Sequence, residues 1–131
     1  MPTEDEEQIA LTDWLNHVQH TRPWFLYYAV PNGGWRNKIT AVRLQQLGVK
    51  PGCPDIVVAN AVESYHGLYI EMKRTVGGRL SERQKLFLEQ LEKNGYRTAV
   101  CYGAREAYNV ILRYFNLKPD DLPPLHVLKR G

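Results

Sequence analysis

At 131 residues, 44% hydrophobic and 24% charged, the chain has the size and balance of one compact domain spanning 1–131, with enough apolar content for a single core. No apolar run approaches a membrane span, the N-terminus is acidic where a signal peptide is basic, and Cys53 and Cys101 form neither a disulfide framework nor a ligand-like spacing, so an intracellular protein with reduced thiols is expected. The net charge of +3 conceals a basic body: Glu4, Asp5, Glu6 and Glu7 are four of the 14 acids, and the other ten stand against 17 Lys and Arg, leaving +7 over residues 8–131.

In chain order the pattern predicts α-β-α-β-β-α-β-α. Thr3 caps a first helix, Glu6 closes a capping box, and Leu11, Leu15 and Val18 form an apolar stripe. Trp24 to Val30 is an aromatic, β-favouring run, ended by a turn at Pro31-Asn32-Gly33-Gly34. Asn37 to Leu47 reads as a short helix stopped by Gly48. Ile56 to Ala59 is uniformly apolar, hence a central strand buried on both faces. Leu68 to Lys73 follows it antiparallel, after a turn near Ser64 to Gly67. Ser81 to Lys93 is a helix with a second capping box, Ser81-x-x-Gln84, and Gly95 as its stop. Arg97 to Tyr102 is a last strand, with Cys101 in its apolar pattern, and Ala104 to Phe115 a last helix. The core is expected over about 4–115, and 116–131 reads as a Pro-rich tail.

Chemistry concentrates on two of these strands. Leu68, Ile70 and Met72 alternate with Tyr69, Glu71 and Lys73, so a strand sends the apolar set inward and sets Glu71 and Lys73 side by side on the other face. Asp55 opens the preceding strand, after Pro54. Hard divalent cations take oxygen ligands. Asp55 and Glu71 supply two, and the Met72 backbone carbonyl is a candidate third. A cation so held acidifies water and offsets charge on a phosphate, while Lys73 stabilises the transition state. The bland alternative is an exposed Glu71–Lys73 ion pair, which contributes about 0–1 kcal/mol. Arg36, Lys38, Arg43 and Lys50 precede these residues, and Arg74, Arg79, Arg83 and Lys85 follow them. Positive charge around a carboxylate cluster suits a polyanion. The glycines after Asn32 allow positive φ and close approach to a phosphate, so Asn32, Gly33 and Arg36 join Lys38, Arg74, Arg79 and Arg83 as candidate contacts to a nucleic-acid backbone, DNA and RNA not being distinguished by charge.

Read in order, Pro31-Asn32-Gly33-Gly34, Leu47-Gly48-Val49-Lys50-Pro51-Gly52-Cys53-Pro54-Asp55, Tyr65-His66-Gly67-Leu68-Tyr69-Ile70-Glu71-Met72-Lys73, Gly78-Arg79-Leu80-Ser81-Glu82-Arg83-Gln84 and Asn94-Gly95-Tyr96-Arg97 resemble the virus-type replication-repair nuclease (VRR-NUC) domain, of the PD-(D/E)xK nuclease superfamily. The resemblance covers roughly residues 4 to 115. It implies an α/β fold with a restriction-endonuclease-like core, a mixed central sheet flanked by helices (αβββαβ with extra helices). It implies Mg2+- or Mn2+-dependent DNA cleavage, often on branched DNA. Standalone members, many encoded by phages, look like dimeric resolvases of four-way (Holliday) junctions. The superfamily's first helix commonly contributes an acid. Glu4 shares a face with Gln8, Leu11 and Leu15 and is the first candidate; Glu7, three residues on, is the second. The family also has a glutamine at Gln84, which leads the stripe Phe87, Leu88, Leu91; capping Ser81 is its structural alternative.

The resulting expectation is a metal-dependent endonuclease with Asp55, Glu71, Lys73, Gln84 and one of Glu4 or Glu7 in its site. It would act on DNA as a homodimer, joined through the second helix (Ile39, Val42, Leu47) or the last (Tyr108, Ile111, Tyr114). The alternatives are a flap-, nick- or restriction-type nuclease and a non-catalytic nucleic-acid-binding module.

Overall fold

Helix α1, Glu4–Thr21, begins where its first free amides find partners. Thr3 Oγ1 accepts the Glu6 N–H at 3.1 Å, and the Glu6 carboxylate accepts the Thr3 N–H at 2.9 Å. Leu11, Trp14, Leu15 and Val18 repeat at three and four residues, and all four are buried. A computed structural model describes residues 1–31 and 38–126, except for the side chains of residues 38–40. After α1 come strand β1 (Tyr27–Ala29), helix α2 (Lys38–Gln46), strands β2 (Ile56–Val58) and β3 (Leu68–Lys73), helix α3 (Glu82–Lys93), strand β4 (Arg97–Tyr102) and helix α4 (Ala104–Phe115). The order matches the expectation from periodicity, and the last two strands and helices agree with it closely.

The four strands lie in the order β1-β2-β3-β4. The first two neighbour pairs are antiparallel and β3–β4 is parallel, the crossover being made by α3. The sheet is therefore mixed and flanked by helices, as the fold class anticipated. Ile56 pairs with Ile70, and Val58 with Leu68. These residues, with Met72, turn to the face covered by α1 and α4 and join Leu11, Leu15, Val18, Ala107 and Ile111 in one core. Fully burying one such aliphatic side chain contributes about 1.5–3 kcal/mol, so this face anchors β2 and β3 firmly.

Two expectations need correction, and the course of the tail, open in the sequence, is defined. Strand β1 is shorter than Trp24 to Val30, because the Asn60 amide replaces a ladder partner there. It accepts the Leu26 N–H at 2.9 Å and donates to the Trp24 carbonyl at 2.8 Å. Trp24 is half exposed and rests edge-on against Phe115. The tail packs at least as far as Leu125: Leu122 and Leu125 are buried in the core, and Trp14 Nε1 donates to the Pro123 carbonyl at 2.7 Å. Finally, Tyr108, Ile111 and Tyr114 are buried within the core, which removes α4 as the proposed dimer surface; Val42 and Leu47 around α2 are exposed.

The loop leading to Asp55 is pinned by close approach. Gly52 has φ +85°, and a Cβ there would lie 2.9 Å from the Arg83 backbone at the start of α3. Both the left-handed backbone and the contact require glycine. Gly52→Ala is expected to lower stability by about 1–3 kcal/mol, measured by denaturant unfolding, whereas Gly48→Ala, with open space around its Cβ, incurs only the φ strain and should cost less.

Candidate active site

The β2–β3 register carries the chemistry. One step beyond the Ile56–Ile70 pair sets Asp55 opposite Glu71, on the sheet face away from the α1–α4 core. Side chains directly opposite on antiparallel strands have Cβ atoms about 4.5–5.5 Å apart, and like charges so placed repel. One step further sets Pro54 opposite Met72. A proline has no N–H to offer the Met72 carbonyl, and the Met72 N–H is taken at 2.8 Å by Asp55 Oδ2. The Val30 N–H holds the Asp55 carbonyl at 2.9 Å. Pro54 thus ends the ladder where Asp55 needs to turn inward. A strand residue's N–H and C=O project to the same edge, so the Met72 carbonyl faces the gap that Asp55 borders.

Glu71 is almost wholly enclosed, at 1% exposure, with Asp55 and Lys73 at 6% each. The half-exposed ion pair considered above is therefore not what forms. Lys73 Nζ lies 3.7 Å from Glu71 Oε2, and Gln84 Nε2 donates to the same oxygen at 3.2 Å. The Gln84 Oε1 accepts the Ser81 N–H at 2.9 Å, so one amide closes the α3 capping box and steadies Glu71. A glutamate would serve the cap but repel Glu71, which explains glutamine here. Among the described residues, Glu71 Oε1 is buried with no hydrogen-bond partner.

Glu4 completes the group. Ligand oxygens of Glu4, Asp55 and Glu71 lie within 4.8 Å of one another. Glu7 does not join them; its carboxylate accepts the Ala104 N–H at 2.9 Å, at the start of α4. Sequence periodicity could not separate the two, since residues three apart share a helix face. It also missed the Glu7–Ala104 cap, although Gly103, with no side chain to cap α4, required a cap from elsewhere.

Burial is the main cause that pushes the Glu71 carboxyl up to about 9; the neighbouring Asp55 charge and hydrogen bond add to it, and Lys73 opposes it. Burial likewise raises Glu4, against Lys73 and with Asp55. Burial also raises the Cys53 thiol, which the charges of Glu71 and Asp55 push further the same way. When Glu71 ionises, three carboxylates with one ammonium among them lack positive charge. An all-oxygen donor set with an orphaned carboxylate oxygen fits a hard divalent cation such as Mg2+ or Mn2+. Asp55, Glu71 and Glu4 could hold such an ion, with the Met72 carbonyl facing the same gap.

Around this cluster, Arg74, Arg79 and Arg83 are exposed. Arg74 follows Lys73 directly, Arg79 follows Gly78, whose added Cβ would meet Lys73 Cβ at 2.9 Å, and Arg83 adjoins Gln84. Asn32, Gly33 and Arg36 lie outside the described residues, as does the side chain of Lys38.

The family model of the VRR-NUC domain matches residues 3–105 of the chain. A solved structure described as a VRR_NUC domain protein superimposes with a TM-score of 0.72 at 28% identity, over 89% of this chain and 91% of that one. Comparison with curated proteins gives no match. The chain belongs to the VRR-NUC domain family, which implies a nuclease-type function, and no helix among the described residues is long and apolar enough to cross a membrane.

The raised Glu71 carboxyl generates a stability prediction. The folded protein keeps this proton up to about pH 9, whereas an unfolded chain loses it near the ordinary glutamate value of 4.5. The group's contribution to stability is present below pH 4.5 and is lost as pH rises towards 9. Without divalent cation, the melting temperature should fall over that window, and Glu71→Gln should flatten the fall. Added Mg2+ should raise the wild-type melting temperature more at pH 8.5 than at pH 6, because binding displaces the proton. A Glu71→Gln profile parallel to wild type contradicts this.

Proposed function

We propose that this VRR-NUC chain is a divalent-metal-dependent endodeoxyribonuclease that hydrolyses phosphodiester bonds and, as a homodimer, cuts four-way junctions. The observation that carries the reading is the convergence of Glu4, Asp55 and Glu71 within 4.8 Å, with Lys73 buried beside them. A protein that only bound nucleic acid would gain nothing by gathering carboxylates against phosphates.

Each residue has a part that follows from its surroundings. Asp55 and Glu71, with Glu4 and the Met72 carbonyl, are the groups that would hold the cation. The cation, when bound, supplies Lewis acidity toward the phosphate and lowers the pKa of water. Lys73 offers its ammonium to the phosphoryl oxygens as negative charge grows on them, in a nearly dry setting that strengthens the interaction. Gln84 keeps Glu71 Oε2 turned toward Lys73, leaving Oε1 for the cation. Arg74, Arg79 and Arg83 present fixed positive charge along the path to the site and neutralise the flanking backbone. Their contribution is electrostatic, so DNA affinity should fall steeply with added salt.

The dimer is supported by exposed apolar side chains around α2, Val42 at 53% and Leu47 at 71%. A twofold arrangement would present two sites to two symmetric strands.

The test is cleavage of labelled four-way junction, flap, nicked and linear duplex DNA, with Mg2+, with Mn2+ and with EDTA. Paired symmetric incisions in the junction, abolished by EDTA, are expected. Lys73→Ala should reduce the rate by about 10²–10³-fold with DNA binding retained. Cutting of flaps alone would keep the nuclease and remove the junction reading. DNA binding with no cleavage of any substrate would overturn the proposal.

A further inference from the structure

Of the three clustered carboxylates, two are fixed by strand pairing and the third is not. Asp55 directly precedes β2 and Glu71 lies in β3, neighbouring strands whose inner faces are locked in the core. Glu4 is the first residue of α1, and helix ends fray. The Thr3–Glu6 capping box closes that end only upon itself.

One turn further, Glu7 is buried to 6% exposure and reaches across to α4, where its Oε1 accepts the Ala104 N–H at 2.9 Å. Gly103, which precedes Ala104, donates its own N–H to the Lys73 carbonyl at 2.8 Å. A continuous path thus runs from Glu4 through one helical turn to Glu7, then Ala104 and Gly103, and ends on the strand that carries Lys73 and Glu71. The path has little slack. Gly103 has φ +96°, and a Cβ there would lie 2.7 Å from Thr75 Cγ2 and 3.4 Å from Glu7 Oε1. A carboxylate suits the position, since it meets the positive end of α4 through a charge-assisted hydrogen bond.

We propose that Glu7 is a positioning residue: by docking the first turn of α1 on the start of α4, it sets Glu4 against Asp55 and Glu71 and so tunes affinity for the divalent cation. This rests on the metal-centre reading given above. Glu7 itself touches neither cation nor phosphate.

The experiment is calorimetric titration of Mn2+ alone into the full chain, without DNA. Glu7→Ala should weaken Mn2+ binding by roughly 10-fold or more, the scale seen when a supporting contact to a ligand is lost. Glu7→Gln, which keeps an acceptor oxygen at the same reach, should bind close to wild type. In a Glu4→Ala background, Glu7→Ala should add less than about threefold, because its effect passes through Glu4. Should Glu7→Ala not fold, Glu7→Asp, one methylene short of Ala104, makes the same comparison. Wild-type affinity in Glu7→Ala or Glu7→Asp, or a full further loss in the Glu4→Ala background, overturns the proposal alone. Absence of Mn2+ binding by the wild type overturns the metal-centre reading and this proposal with it.

Discussion

Three carboxylates within 4.8 Å, at the dry end of a sheet, are the constraint around which the rest of this protein is arranged. Two ionised carboxylates at that spacing repel by about 3 kcal/mol at an effective dielectric constant of about 20. Without a cation Glu71 escapes this by keeping its proton; once it ionises, one ammonium, from Lys73, cannot balance three such charges. The protein therefore holds the group together by other means: a β2–β3 register locked by core residues on the opposite face, a backbone N–H for Asp55, an amide for Glu71, and a helix dock beside Glu4. What that arrangement lacks is positive charge, and supplying it is how the site would gain both stability and chemistry.

The strain explains residue choices that composition alone leaves arbitrary. Pro54 ends the β2–β3 ladder without leaving an unused amide, so Asp55 can turn its carboxylate toward Met72. Gln84 has a donor and an acceptor on one planar group, and both are used, one for the α3 cap and one for Glu71. Gly52 and Gly78 allow backbone to close on the start of α3 and on Lys73, which brings the flanking arginines to the site's rim.

Most of the fold was legible because its elements announce themselves locally. The capping boxes at Thr3 and Ser81 mark where α1 and α3 begin, and alternation along Leu68 to Lys73 assigns each face of β3. Asp55, Glu71 and Lys73 could be named together because a two-residue period fixes which side chains share a face. Long-range contacts were harder. Asn60 shortens β1 from 34 residues away, and Glu7 caps a helix 97 residues away; neither leaves a local trace. Tyr108 is covered by Trp14 of α1 and Tyr114 packs beside Tyr65, contacts distant in sequence, so a plausible dimer stripe proved to be core. Nor could a helical wheel choose between Glu4 and Glu7, since only the position of Ala104 separates them.

The carboxylate cluster stands or falls as a divalent-cation site on whether an ion binds there. The most direct measurement is anomalous diffraction from crystals of the chain soaked in Mn2+. The account predicts a peak bounded by Asp55, Glu71 and Glu4, with the Met72 carbonyl oxygen and carboxylate oxygens at about 2.0–2.6 Å, the range for hard divalent cations. A well-ordered site containing no peak at saturating Mn2+, or a peak held only by other residues, would contradict it.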